Sequence, residues 1–280
     1  VVALLTACGP HAPDKTYALP AGTSMALEVD VRDELVGRST AWRLEIATRG
    51  AFAQDGSLRL SIERARLETQ IDGGAPIAVA TDDPPDVRAR RTPGDTAKAR
   101  LLESLHGAEV RIGFDAANGV ASVEGLDRAL RAAPGADENG GLGSMCSDDR
   151  WRRDLVAAGL CAVPAAVRDG GDVVRSARVR VPGRGETTVR LEGTVGRDDS
   201  GLPMARSEGR LSADAAFEGP PGAAPPAVIG AVMLGDVAAQ ATTTYPPGGG
   251  VPIKGQFVLT FPFVGGFAQR STTTFTLVRR

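Results

Sequence analysis

Apolar and polar residues alternate with a period of two along several stretches of this chain. Met25, Leu27, Val29 and Val31 form one such series, Trp42, Leu44 and Ile46 a second, and Leu58, Leu60 and Ile62 a third. Strict alternation predicts half-buried antiparallel strands, with one face on a core and the other in water. The pattern continues through Ala65, Leu67, Thr69 and Ile71, but on odd instead of even positions. That phase slip near Glu63-Arg64 predicts a β-bulge and a bent strand. Prolines exclude Thr81-Asp82-Asp83-Pro84-Pro85-Asp86 from any central strand. Thr92 and Pro93 then open a helix as cap and first-turn residue, with Ala97, Leu101, Leu102 and Leu105 as its apolar stripe and Gly107 as its stop. Val110, Ile112 and Phe114 lead to Asn118-Gly119, a strong hairpin signal, and the chain returns through Val120 and Val123. Residues 125–133 read as a short helix.

Residues 134–145, rich in Gly, Pro and acids, read as a linker. Beyond them a helix is followed by strands at 173–181, 187–195, 205–217, 228–244, 253–263 and 271–278, with glycine- and proline-containing turns between. The expected fold class is mainly β (α+β): two antiparallel, curved β-meander halves, half-barrel-like, at 17–133 and 146–280, with a few short helices on them. Composition agrees. Aromatic residues make up 4% of the 280, against 35 Gly and 19 Pro, so the core must be built largely from aliphatics on a chain with many turns. Basic and acidic residues number 32 and 34, for a net charge of −2, which leaves no positive field to attract nucleic acid, phosphate or an anionic bilayer.

The chain begins Val1-Val2-Ala3-Leu4-Leu5-Thr6-Ala7-Cys8 and then changes abruptly to Gly9-Pro10-His11-Ala12-Pro13. A seven-residue apolar run is too short to span a bilayer, which takes about 20 residues. Residues 1–7 read as the end of a secretory signal and 8–16 as a tether. Leu5-Thr6-Ala7-Cys8 resembles the lipobox of bacterial lipoproteins. The resemblance implies acylation of the Cys8 thiol, membrane attachment through those acyl chains, and a place in the bacterial cell envelope. Gly9 after the cysteine, where an aspartate would retain many lipoproteins in the inner membrane, points to the periplasmic face of the outer membrane.

Cys146 and Cys161 bracket a helix with Ser147 as its N-cap, acids in the first turn and Gly159 at its end. Were the whole span helical, the two α-carbons would lie about 22 Å apart at ~1.5 Å per residue. A disulfide therefore needs a shorter helix with arms folded back; two separate buried thiols are the other reading. In an oxidising compartment the bridge is expected, contributing about 3 kcal/mol.

Little in the chain suggests catalysis. Of two histidines, His11 lies in the tether and His106 ends a helix, where positive charge suits the dipole. There is no Gly-x-Ser-x-Gly elbow, phosphate-cradling loop or His-Glu-x-x-His pair. Asp30, Asp33 and Glu34, and likewise Asp82, Asp83 and Asp86, read as solvated acids, and Arg175, Arg178 and Arg180 as the wet face of a strand. No catalytic residue, cofactor or metal site is assigned.

The segment Gly113-Phe114-Asp115-Ala116-Ala117-Asn118-Gly119-Val120, together with Pro164 and Gly170-Gly171-Asp172, resembles a family of uncharacterised bacterial lipoproteins, a domain of unknown function with long curved β-meanders. That group carries a Trp after the Gly-Asp pair, where this chain has Val173-Val174. The outline is also loosely similar to the half-barrels that carry lipids and lipoproteins across the periplasm. These likenesses imply a non-enzymatic, lipid-anchored binding module for a hydrophobic or lipid ligand. The alternative is a structural or assembly lipoprotein that contacts an envelope protein through an open sheet edge.

Overall fold

The computed structural model describes residues 20–114, 120–132, 144–160, 170–181, 185–211, 236–247, 251–262 and 268–279. The first three alternating segments form long antiparallel strands, β1 (Ser24–Val36), β2 (Thr40–Phe52) and β3 (Leu58–Gln70). The far edge of β3 is shared by β4 (Ile77–Ala80), beside residues 66–69, and β5 (Glu109–Phe114), beside residues 58–61; β5 then pairs with β6 (Val120–Glu124). The second half runs as a meander through β7 (Asp172–Val181), β8 (Gly185–Arg197), β9 (Pro203–Leu211), β10 (Val237–Thr244), β11 (Lys254–Pro262) and β12 (Ala268–Arg279). The halves join where β1 pairs with β12, from Met25 opposite Arg279 to Val36 opposite Ala268. The result is one twelve-stranded antiparallel sheet in the order β6-β5-β3-β2-β1-β12-β11-β10-β9-β8-β7, with β4 beside β3.

Two devices bend this sheet. Opposite β2 the register of β3 jumps from Arg64 to Ile62 between Ala47 and Thr48, which leaves Glu63 as the extra residue of a bulge where the phase slip predicted one. The other is a glycine on the inner face of each half. A Cβ on Gly50 would lie 1.8 Å from the Arg59 carbonyl oxygen, and one on Gly193 1.8 Å from that of Arg206. No side chain fits where the neighbouring backbone comes that close, so glycine lets the sheet curl there.

Fully within the described residues, helices α1 (Pro85–Ala89), α2 (Pro93–Leu105), α3 (Leu126–Arg131) and α4 (Asp148–Ala157) accompany the sheet. Thr92 and Asp95 form a reciprocal capping box at the start of α2. Its buried stripe is Ala99, Leu101, Leu102 and Leu105; Ala97 is exposed. Alanine at both positions left the sequence pattern no means to choose between them. β4 and α1, too short for a periodic signal, were not foreseen. Leucines of α2 and α3, Trp151 and Leu155 of α4, and the inner residues of both halves share one buried cluster. Helices thus occupy much of the wide groove that a bare half-barrel would offer. Among the described residues no helix is long and apolar enough to cross a membrane.

Candidate functional site

Of these helices, α4 is the least expected from its composition. Its sequence, Asp148-Asp149-Arg150-Trp151-Arg152-Arg153-Asp154-Leu155-Val156-Ala157, is mostly charged, yet Arg150, Arg153 and Asp154 are buried along with Trp151, Leu155 and Ala157. Ser147 caps it by accepting the Arg150 N–H at 3.1 Å. Gly159 ends it at φ +86°, where a Cβ would lie 2.4 Å from Thr243 Oγ1 and 2.7 Å from Arg175 Nη1. The helix contacts β6 at one end of the sheet and β7 at the other, as well as β11 and β12. It therefore closes the gap between the two sheet edges.

Buried charges are tolerable only when paired and hydrogen-bonded, and those of α4 are. Arg150 donates both Nη atoms to the Asp33 carboxylate at 2.8 Å each, Nε to Asp154 at 3.2 Å and Nη2 to Ser271 Oγ at 2.7 Å. Thr273 Oγ1 donates to Asp154 at 2.6 Å. Burial alone would favour loss of the Arg150 proton, but the Asp33 hydrogen bond and the Asp154 charge outweigh it and hold the guanidinium more firmly protonated than usual. Arg153 bridges Asp149 and, at 3.1 Å, Glu186 of β8. At the other end Arg175 donates to Thr243 Oγ1 at 2.6 Å and Tyr245 Oη at 3.2 Å, while Thr243 Oγ1 donates to the Ala158 carbonyl at 2.8 Å.

Beside α4 lies a cavity of about 400 Å³. Val179 and Val181 of β7 with Leu259 and Phe261 of β11 supply its apolar surface; Asp33, Arg150, Arg153 and Asp154 supply a polar wall, and the exposed Arg178 and Arg180 complete the lining. Two other depressions lie on the outer face. One of about 240 Å³ is lined chiefly by Glu28, Asp30, Arg43, Glu45, Arg64 and Lys254; one of about 490 Å³ lies over Glu192, Thr194, Arg206, Glu208, Gln240 and Thr242. The first is lined mostly by charged residues, and the second has no Val, Leu, Ile or Phe in its lining.

The acids grouped by sequence separate in space. Asp30 pairs with Arg43 and Glu34 with Arg32 on the outer face, whereas Asp33 is in phase with Val29 and Val31 and turns inward to Arg150. Asp83 accepts the Ala80 N–H at 3.0 Å and pairs with Arg91, which fixes the loop before α1. Arg178 and Arg180 are exposed as expected; Arg175 is not solvated, since it shares the inward phase of Ala177, Val179 and Val181. His106 is the exposed C-cap of α2, and among the described residues no three His, Cys, Asp or Glu side chains gather as a metal site. Cys146 is a free, buried thiol. Burial pushes that thiol well above its usual range, with the charges of Asp148 and Asp127 adding to the effect. Among the described residues Cys146 has no bridging partner, and the α4 helix after it stays helical for ten residues and ends against β10. Cys161, the expected partner, and Cys8 and His11 lie outside the described residues, as do 1–7, the tether and most of the linker.

No family model and no curated protein matches the chain. Among solved structures, one titled for lipid–protein interactions in lipovitellin aligns with 91% of this chain and 25% of that chain, at 8% identity and a TM-score of 0.47. The chain thus spans about a quarter of the length of lipovitellin. MucB in complex with MucA(peri) aligns with 92% of this chain and 94% of that one, at 11% identity and a TM-score of 0.11. At TM-scores below 0.5 neither likeness establishes a shared fold.

Proposed function

We propose that this chain is a non-enzymatic binding module for an amphiphile, with a hydrocarbon chain on Val179, Val181, Leu259 and Phe261 and an anionic head toward the guanidinium groups. The observation that carries the reading is the cavity beside α4. Its volume falls in the range of small-molecule sites, about 300–1,000 Å³, and it joins an apolar floor to a few convergent polar groups, the usual make-up of such sites. Its lining holds four arginines against two aspartates, an excess of positive charge that favours a carboxylate or phosphate head. Both aspartates are already committed to Arg150, which leaves no free carboxylate pair for acid–base chemistry. Acylation of Cys8 and an envelope location belong to the same proposal and rest on Leu5-Thr6-Ala7-Cys8.

Native mass spectrometry of protein purified without detergent tests the reading. A co-purifying amphiphile is expected, along with saturable binding of a fluorescent fatty acid that Val179→Trp abolishes while the protein stays folded. An empty protein with no saturable binding overturns it. The assembly reading has less support at the β6 and β7 edges, which both abut α4; β4, paired with β3 alone, is the third edge strand.

A further inference from the structure

The cavity beside α4 is closed at one end. On four strands its lining stops at one level: Val179 of β7, Leu259 of β11, Ser271 of β12 and Asp33 of β1 face it, whereas Ala177, Phe257, Thr273 and Val31, the next residues inward on the same face, do not. Each of those four is 2% exposed or less, so the cavity ends against packed core. Its other lining residues on the sheet, Val181, Gly185, Phe261 and Gln269, lie within one residue of the ends of β7, β8, β11 and β12. The opening is therefore at the rim of the sheet.

The two ends offer a ligand different chemistry. At the closed end Arg150 has no donor to spare: Nε bonds Asp154, Nη1 bonds Asp33 and the Ser144 carbonyl, and Nη2 bonds Asp33 and Ser271 Oγ, which accounts for all five N–H groups of a guanidinium. An anionic head placed there would have to displace a buried carboxylate. Arg178 and Arg180, by contrast, are exposed and border the cavity on its solvent side. Room is limited as well. At about 30 Å³ for a group the size of a water molecule or a methylene, the 400 Å³ cavity holds about 13 such groups. The two chains of a membrane phospholipid, with about 30 carbons between them, need more than twice that volume. Trp151, Leu155 and the leucines of α2 and α3 fill the groove that could have held them.

We propose that the cavity takes a single hydrocarbon chain tail-first, to a depth of about 10 to 12 carbons, and leaves its carboxylate or phosphate head outside at Arg178 and Arg180. The assignment rests on the amphiphile reading and narrows it from lipids at large to single-chain acids. Val179, Val181, Leu259 and Phe261 then set how much chain is buried, and any carbon beyond that length stays in water. Arg178 and Arg180 hold the head without affecting the length.

The test uses the full chain carrying Cys8→Ser, so that no acyl anchor competes, stripped of lipid and titrated calorimetrically with fatty acids and alkyl phosphates of six to eighteen carbons. Affinity is expected to rise about fourfold per carbon, the effect of burying one methylene, and to level off near 12 carbons. Dipalmitoyl phosphatidate is expected not to compete. Arg178→Gln with Arg180→Gln, at exposed positions, should weaken every length at least tenfold and leave the levelling point where it is, and the tighter of the two series identifies the head. Leu259→Ala should move that point two or three carbons longer; if that variant does not fold, the parent series and the arginine pair carry the test. Affinity that climbs through eighteen carbons, tight binding of the two-chain lipid, or an arginine pair that binds like the parent overturns the proposal while the amphiphile reading stands. Binding of no acid at any length removes both.

Discussion

Helices α2 and α4 both cover the inner face of the sheet, but by opposite means. α2 buries Ala99, Leu101, Leu102 and Leu105 and keeps its charges outside; α4 buries Arg150, Arg153 and Asp154 beside Trp151 and Leu155. An apolar stripe adheres to any apolar surface of the right shape, so α2 holds strongly but with little demand on register. A guanidinium fork shared by Asp33 of β1, Asp154 and Ser271 of β12 is satisfied in one geometry only. α4 is therefore placed by direction where α2 is placed by area. The site adjoins the helix whose position is fixed most narrowly, as a preorganised binding wall requires.

Removing one partner from the charged network is expected to have the largest effect. Arg150→Ala leaves Asp33 and Asp154 buried without their cation and should cost about 3–5 kcal/mol, measured by urea denaturation at neutral pH. Replacing all three groups together, as Arg150→Met with Asp33→Leu and Asp154→Leu, should recover most of that loss, while the fluorescent fatty acid no longer binds. A triple variant as unstable as the single one would show that α4 is held by packing alone and erase the contrast with α2.

The corresponding change in α2 is Leu102→Ala, which deletes a fully buried side chain and should cost about 2–5 kcal/mol. Fatty-acid affinity should stay within twofold of the parent, because α2 does not line the cavity. A marked loss of affinity would mean that the two helices are coupled through the shared core. Thr92→Ala removes one half of the α2 capping box and should cost about 1 kcal/mol, seen as a lower urea midpoint.

The same contrast governs what could be read from the sequence. Apolar alternation placed most of the long strands, the phase slip placed the bulge at Glu63, and cap residues placed α2 and α4, because each of those signals is local. Asp33 and Arg175 lie in phase with buried neighbours, Val29 and Val31 for one and Ala177 and Val179 for the other, and that parity could have marked both as inward. A lone charge at a sheet rim is ordinarily solvated, and the partners that hold these two inward lie over a hundred residues away in one case and about seventy in the other. The cavity floor is less legible still. Val179 and Leu259 are four strands apart in the sheet and share a cavity only because the sheet curls and α4 spans the gap.

The smallest expected effect separates two adjacent acids in the first turn of α4. Burial raises the Asp148 carboxyl above the usual carboxylate range, although it accepts the Leu126 and Gly125 N–H groups. Burial also opposes ionisation of Asp149, but Arg152, Arg153 and Arg180 outweigh it and hold that carboxyl below the usual range. A raised acid binds more protons folded than unfolded, so it lowers stability as pH climbs past its unfolded value near 4; a depressed acid adds stability above that value and loses it as pH falls. Asp148→Asn should therefore stabilise the protein at pH 7 and have no effect below about pH 4, while Asp149→Asn should destabilise it at pH 7 and lose its effect in acid. Thermal melts of the two variants from pH 3 to pH 7 should diverge in opposite directions from the parent. Parallel curves would mean that the polar wall of α4 senses charge no more than the apolar face of α2 does.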